Sequence, residues 1–269
     1  MRIVSSECLI IRNQDYRERD RLVTFLARDA GKRTGIARGS RKLTARGVGS
    51  FELFSHGEIF YTEKTGSELV SIRKLDPVPP YLFLEGNYDK FLLAGYMSEW
   101  IYLCPIQKPE AEAYFLLLRN ALQSLTEEQT SESLFLARLD FQMDLMTLLG
   151  VQPDWNACMN CERPLLEKRG GRATPLMEGT YQLDVREGRL RCPECHGHGS
   201  GQYDLAAGSL AFLAAWREPG RSPGLRPTKR ALADLLGATT AQLIHHTEKE
   251  PRSLGMLPHP LAIPQGNTP

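Results

Sequence analysis

Apolar residues in the first 80 positions come in short runs separated by turn residues. Cys8, Leu9, Ile10 and Ile11 form one run, and Leu22, Val23, Phe25 and Leu26 form a second, rich in branched and aromatic types. Gly31 marks a turn into a third segment over 32–37. Residues 59–62 and 69–72 supply a fourth and a fifth, with Lys64-Thr65-Gly66-Ser67 as the turn between them. Short strands divided by glycine-bearing turns predict a small sandwich or barrel. Asp76-Pro77-Val78-Pro79-Pro80 interrupts regular structure and places a boundary near 80.

From 87 the period becomes helical. Tyr88, Leu92, Tyr96, Trp100 and Leu103 recur at helical spacing, and Leu93, Met97 and Ile101 widen that face. This helix stops at Cys104-Pro105. A second starts at Pro109, with Glu110 and Glu112 suiting the positive end of its dipole, and ends near Leu125. A third spans 131–149, stopped by Gly150 and Pro153. Residues 151–203 are rich in glycine and cysteine and read as non-helical. Asp204 is the expected cap of a helix reaching Arg217, and a last helix covers 228–247 with Gly237 in its interior. The proline-rich residues 251–269 form a tail.

Composition fits a folded globular chain, with 42% hydrophobic and 24% charged residues. The net charge of +1 hides an asymmetry: residues 1–50 carry +7, residues 51–150 carry −8 and residues 151–269 carry +2. A basic N-terminal segment points to a polyanionic partner. No apolar run is long enough for a membrane span, and the first residues lack the apolar core of a signal peptide, so the expected compartment is the cytoplasm.

In that reducing compartment paired cysteines more often hold metal than form disulfides. Cys158 and Cys161 make one C-x-x-C knuckle, and Cys192 and Cys195 make a second after 30 intervening residues. Four thiolates in two tight turns suit a closed tetrahedral structural zinc site, one ion per chain, with no open position for a catalytic water. A hairpin of 180–185 and 189–191, turning at Glu187-Gly188, would return the chain to the first knuckle. Two disulfides, or four free thiols, are the alternatives. His196 and His198 stand next to the second knuckle and read as exposed side chains, while Cys8 and Cys104 read as small core residues.

The candidate polyanion contacts are Lys32, Arg33, Arg38, Arg41, Lys42 and Arg46, interspersed with Gly31, Gly35, Gly39 and Gly47. Glycines let backbone N–H groups approach phosphate, and the basic heads neutralise its charge. The bland alternative is a solvated basic loop. Tyr16, Phe51, Phe54 and Tyr61 are candidates for base stacking. No phosphate-cradling loop, G-x-S-x-G or H-E-x-x-H is present, so neither nucleotide hydrolysis nor a familiar hydrolase is supported and the chain reads as no enzyme.

The order of these parts resembles the bacterial recombination mediator family RecO. The likeness lies in Glu7-Cys8-Leu9-Ile10-Ile11-Arg12, Asp20-Arg21-Leu22-Val23-Thr24-Phe25-Leu26, Gly31-Lys32 and Ala37-Arg38-Gly39-Ser40-Arg41-Lys42. It continues in Leu148-Leu149-Gly150-Val151-Gln152-Pro153, the following Cys158-Met159-Asn160-Cys161, and Arg252-Ser253-Leu254. The resemblance implies an α+β chain. A five-stranded OB-fold β-barrel (1–80) that binds single- and double-stranded DNA precedes an α-helical domain (81–150 and 204–250). The four-cysteine zinc module (151–203) is inserted in that domain, and a C-terminal tail (251–269) follows. It further implies strand annealing and, together with RecR, assistance to RecA in replacing single-strand-binding protein during DNA repair, at the bacterial nucleoid. Rival expectations are an RNA-binding barrel protein of the translation apparatus and an enzyme with a structural zinc ribbon.

Overall fold

The computed structural model describes residues 2–40, 51–63, 66–78, 87–127, 130–169, 172–197, 201–218 and 226–257. Arg41, Lys42, Arg46 and His198, with the end of the tail, lie outside them. The chain divides into two compact units, Met1–Ala137 with Pro251–Leu257, and Arg138–Glu250.

Five strands, β1 (Arg2–Tyr16), β2 (Asp20–Ala27), β3 (Gly31–Ala37), β4 (His56–Glu63) and β5 (Leu69–Pro77), close into a barrel in the order β1-β2-β3-β5-β4. Only β3 and β5 run parallel; all other neighbours are antiparallel. This is the OB-fold. Closure depends on β1, which is far longer than its apolar run. Its first half, from Arg2 to Leu9, pairs with β4, and its second, from Cys8 to Tyr16, pairs with β2, with a bulge between Ile10 and Arg12 that bends the strand. Cys8, Ile10, Val23, Phe25, Ile59, Tyr61, Val70 and Ile72 fill the interior. Leu9 and Leu26 alternate with them on the outer face yet are fully buried, because this side of the barrel is covered by helices. That double burial explains the unbroken apolar run at 8–11. Gly35 sits where β3 meets β5: a Cβ there would stand 2.6 Å from Val70 Cγ2 and 2.9 Å from Val70 O.

Helix α1 (Tyr88–Leu103) is capped by Asn87, whose side chain accepts from Lys90 N. Its buried face is Leu93, Tyr96, Met97, Trp100 and Ile101, whereas Tyr88 is 73% exposed. The expected face was therefore rotated, and Tyr88 lies outside it. A 3-10 turn (Lys108–Glu110) opens α2 (Ala111–Glu127), and α3 (Ser131–Leu149) ends at Gly150 in the left-handed region. The segment after the last helix is held by Glu99. Its carboxylate accepts from Arg252 N (3.0 Å), Ser253 N (2.9 Å) and Ser253 Oγ (2.6 Å), docking the 3-10 turn Arg252–Met256 on α1.

In the second unit, β6 (Asp154–Cys158), β9 (Thr180–Asp184), β10 (Arg189–Arg191) and β11 (Gln202–Ala206) form a sheet ordered β11-β9-β10-β6, beside a hairpin of β7 (Leu166–Arg169) and β8 (Arg172–Pro175). Helices α4 (Ala207–Arg217) and α5 (Lys229–Thr247) follow. Asp204 does not cap α4. It is a strand residue paired with Gln182, and Asp234 of α5 takes the capping place, accepting from Ala206 N at 3.0 Å and Ser209 Oγ at 2.7 Å. Gly237 also finds its reason: a Cβ there would meet Tyr203 Oη at 1.7 Å, so the phenol occupies the space a side chain would need.

Candidate functional site

The two cysteine knuckles are brought together by one strand pairing. Residues Leu190 and Cys158 are partners in the parallel β10–β6 pair, and Met159 N donates to Leu190 O at 2.7 Å. Cys158 ends β6, and the chain reverses with Glu162 in the left-handed region while Glu162 N donates to Cys158 O at 2.9 Å. The second knuckle is a 3-10 turn in which Cys195 N donates to Cys192 O at 2.9 Å. The four sulfurs of Cys158, Cys161, Cys192 and Cys195 lie within 4.8 Å of one another, and Cys161 Sγ to Cys192 Sγ is 3.8 Å. Four thiolates about 2.3 Å from one zinc define edges of about 3.8 Å, so the shell has the right size for the ion.

Electrostatics inside the cluster are uneven. Burial pushes the Cys158 thiol up, but backbone N–H groups of Cys161, Cys192 and Asn160 outweigh it and hold the group at about 6. Cys195, crowded by the Cys192 and Cys161 sulfurs, is pushed up to about 12. A cation at the centre removes that mutual repulsion. Cys158 and Cys192 are buried, and Arg163 pairs with Glu194 across the outside of the two knuckles at 2.7 Å. His196 is turned away: its Nε2 lies 2.6 Å from Thr180 O.

The basic segment is divided by the barrel. Residues Phe25 and Arg33 are paired, as are Leu26 and Lys32, so strand alternation sends Arg33 and Lys32 to opposite faces. The Lys32 ammonium donates to the carbonyls of Tyr102 and, at 2.7 Å, Cys104, at the negative end of α1. Arg33 NH1 donates to Lys32 O at 3.2 Å. Arg28 at that same end is held by Glu7 (3.0 Å) and Glu112 (2.6 Å). Burial raises the Glu7 carboxyl, but Arg28 and His56 outweigh it and hold it below the usual range.

Arg38 is different. It follows β3 at the opposite end of the β2–β3 hairpin, about 20 Å from Lys32 at ~3.3 Å per residue, and is exposed. Its neighbour Gly39 donates its N–H to Asp20 Oδ1 at 2.9 Å. Asp20 begins β2 directly after the three-residue tip Arg17-Glu18-Arg19, whose residues are all exposed. The tip arginines escaped sequence reasoning because Glu18 and Asp20 alternate with them and hide the excess of charge. Residues 41–50 join Ser40 to Phe51, and Phe51 O accepts from Asn13 Nδ2 at 2.8 Å near the same end. Of the candidate stacking aromatics, Phe51, Phe54 and Tyr61 are buried and cannot present a face to a base. Tyr16 alone is partly exposed, with the Arg17 guanidinium 5.2 Å from its ring centre.

Comparison with known proteins covers both units. The family model described as Recombination protein O N terminal matches residues 1–81, and that described as Recombination protein O C terminal matches residues 85–255. The chain is 25% identical to a DNA repair protein RecO of Symbiobacterium thermophilum, over 94% of this chain and 96% of the relative. It is 29% identical to that of Anaeromyxobacter dehalogenans and 31% identical to that of another Anaeromyxobacter species, each over 88% of this chain and 89% of the relative. The closed OB barrel of the first unit, the four-cysteine cluster of the second and matches along almost the whole length agree on one conclusion: the chain belongs to the recombination protein O family.

Proposed function

We propose that this chain is a recombination mediator in DNA repair, which binds single- and double-stranded DNA, anneals complementary strands without ATP and, with RecR, helps RecA replace single-strand-binding protein. The observation that carries the reading is the closed OB barrel with an exposed arginine-bearing end, in a chain matched in both halves by one DNA repair family. The named protein partners, like the place at the bacterial nucleoid in the cytoplasm, follow from the family resemblance.

Annealing needs no covalent step. Two strands repel each other, and a basic surface lowers that repulsion by displacing counterions from phosphates. With Phe51, Phe54 and Tyr61 buried, backbone contact outweighs base stacking, which leaves base edges available for pairing. Arg33, Arg38, Arg41, Lys42 and Arg46 are proposed as phosphate contacts. Lys32 belongs to the same segment, and its ammonium also holds the end of α1. Cys158, Cys161, Cys192 and Cys195 are proposed to hold one structural zinc per chain, which fixes the sheet carrying both knuckles and, being fully ligated by sulfur, supplies no reactive water.

Titration with a mixed-sequence single strand, the corresponding duplex and an RNA of the same sequence, each at two salt concentrations, tests this. Binding to both DNA forms that weakens steeply with salt is expected. A clear preference for RNA would overturn the reading in favour of a translation role, and intrinsic ATP hydrolysis would favour an enzyme.

A further inference from the structure

The end of the barrel that holds Arg38 is built from two segments far apart in sequence, and one side chain joins them. The β1–β2 tip and the turn after β3 meet because Arg21 and Ala37 are register partners at the last rung of the β2–β3 ladder. Among the described residues, no ladder bond holds the turn at 38–40 beyond that rung. The described contacts there include Ser40 Oγ donating to Ala37 O within the turn (2.7 Å) and Gly39 N donating across to Asp20 Oδ1 (2.9 Å). Gly39 is in the left-handed region, which its lack of a Cβ permits, its N–H is given to Asp20, and Arg38 before it is exposed. Arg19 precedes Asp20 and Arg38 precedes Gly39, so one carboxylate fixes the spacing of both arginines. Arg17 takes up a left-handed backbone at the start of the tip, with its guanidinium over Tyr16. The acids nearby are Asp15, Glu18 and Glu52, and Glu52 is paired with Arg21 at 2.7 Å.

An acid in a phosphate-binding rim costs affinity by simple repulsion, and its presence here calls for a compensating role. We propose that Asp20 is a positioning residue for DNA: it clips the turn of Arg38 to the tip of the β1–β2 hairpin, so that Arg17, Arg19 and Arg38 form one phosphate-binding row. The inference rests on the DNA-binding reading above and adds to it the two tip arginines and the clip that holds them beside Arg38.

Two substitutions separate position from charge. Asp20→Asn removes the negative charge but keeps an oxygen that accepts from Gly39 N–H. Asp20→Ala removes both. Binding of a mixed-sequence duplex and single strand by the full chain would be measured across a range of salt concentrations. If Asp20 only repels phosphate, both variants bind equally and more tightly than wild type. With the clip, Asp20→Asn binds at least as tightly as wild type. Asp20→Ala binds more weakly than Asp20→Asn, with a salt slope shallower by up to about one unit, the signature of one lost phosphate contact. Adding Asp20→Ala to Arg38→Ala should then flatten the slope no further. Arg17→Ala with Arg19→Ala, which leaves Asp20 and Gly39 unchanged, should flatten it by about one to two units on duplex, less on single strands. Equal slopes for Asp20→Ala and Asp20→Asn, or an unchanged slope for the tip variant, overturn the proposal while leaving DNA binding by the chain intact. Loss of salt-dependent DNA binding already in wild type would instead refute the reading on which it rests.

Discussion

Gly237→Ala is the substitution for which local and tertiary physics disagree most sharply. In the interior of an exposed helix the change stabilises by about 1 kcal/mol, because alanine is the better helix former. Here the new Cβ would stand 1.7 Å from Tyr203 Oη, 2.3 Å from Cζ and 2.9 Å from Cε1. Contacts below 3.0 Å are not tolerated, so the phenol must move by more than 1 Å. Tyr203 is anchored in β11, where its backbone pairs with Leu183, so the ring has to swing away from α5 about its own side-chain bonds or pull on the sheet. Overpacking of this kind costs about 1–3 kcal/mol, which outweighs the helix-propensity gain. Gly237→Ala should therefore lower the urea midpoint. In a Tyr203→Ala background, itself destabilised by loss of the half-buried ring, the added methyl enters vacated space and should raise the midpoint. The propensity gain cancels in a double-mutant cycle, so the coupling equals the overpacking cost, about 1–3 kcal/mol. Urea unfolding followed by circular dichroism measures all four species. A stabilising Gly237→Ala in wild type, or additive effects, would refute the argument.

Two further outcomes follow from the ligand cluster and from Glu99. The purified, untagged chain should carry one tightly held zinc by elemental analysis, and Cys158→Ser or Cys192→Ser should abolish it and raise amide exchange in β6, β9 and β10 before the barrel; metal-free wild-type protein would contradict this. Burial raises the Glu99 carboxyl, but Ser253 Oγ–H and the backbone N–H groups of Ser253 and Arg252 outweigh it and hold it below its ordinary 4.5. A depressed carboxyl contributes stability that is present above about 4.5 and lost as pH falls through the lower folded value. Glu99→Gln should thus cost about 1 kcal/mol near neutrality, as for a lost helix cap. Its difference from wild type should shrink below pH 4.5 in acid titrations of the unfolding midpoint, and a constant difference would show that the charge is unimportant.

The barrel was legible because strands alternate and turns need glycine, and the cysteine cluster because two C-x-x-C turns carry their geometry in four positions. The length of β1 was not: Arg12, Asn13 and Gln14 are polar, and only pairing with Thr24, Val23 and Leu22 makes them strand. Asp204 looked like a cap because Asp is a good one, yet the side chain that caps α4 comes from Asp234, 30 residues later in the chain. The basic segment looked continuous, but the strand register sends Lys32 and Arg33 to opposite faces, and hairpin length separates Arg28 from Arg38. The row at Arg17, Arg19 and Arg38 exists only once β2 and β3 are paired. Arg252-Ser253-Leu254 was visible as a motif, while its acceptor, Glu99, lies 153 residues earlier in the chain.

The most direct measurement is annealing of two complementary oligonucleotides, labelled as a fluorescence-transfer pair, with the chain alone and no nucleotide present. Pairing is expected to run faster than the spontaneous rate at low salt, to slow as salt rises, and to be unchanged by added ATP. Pairing no faster than spontaneous under conditions where the chain binds each strand, or acceleration that requires ATP, would contradict it.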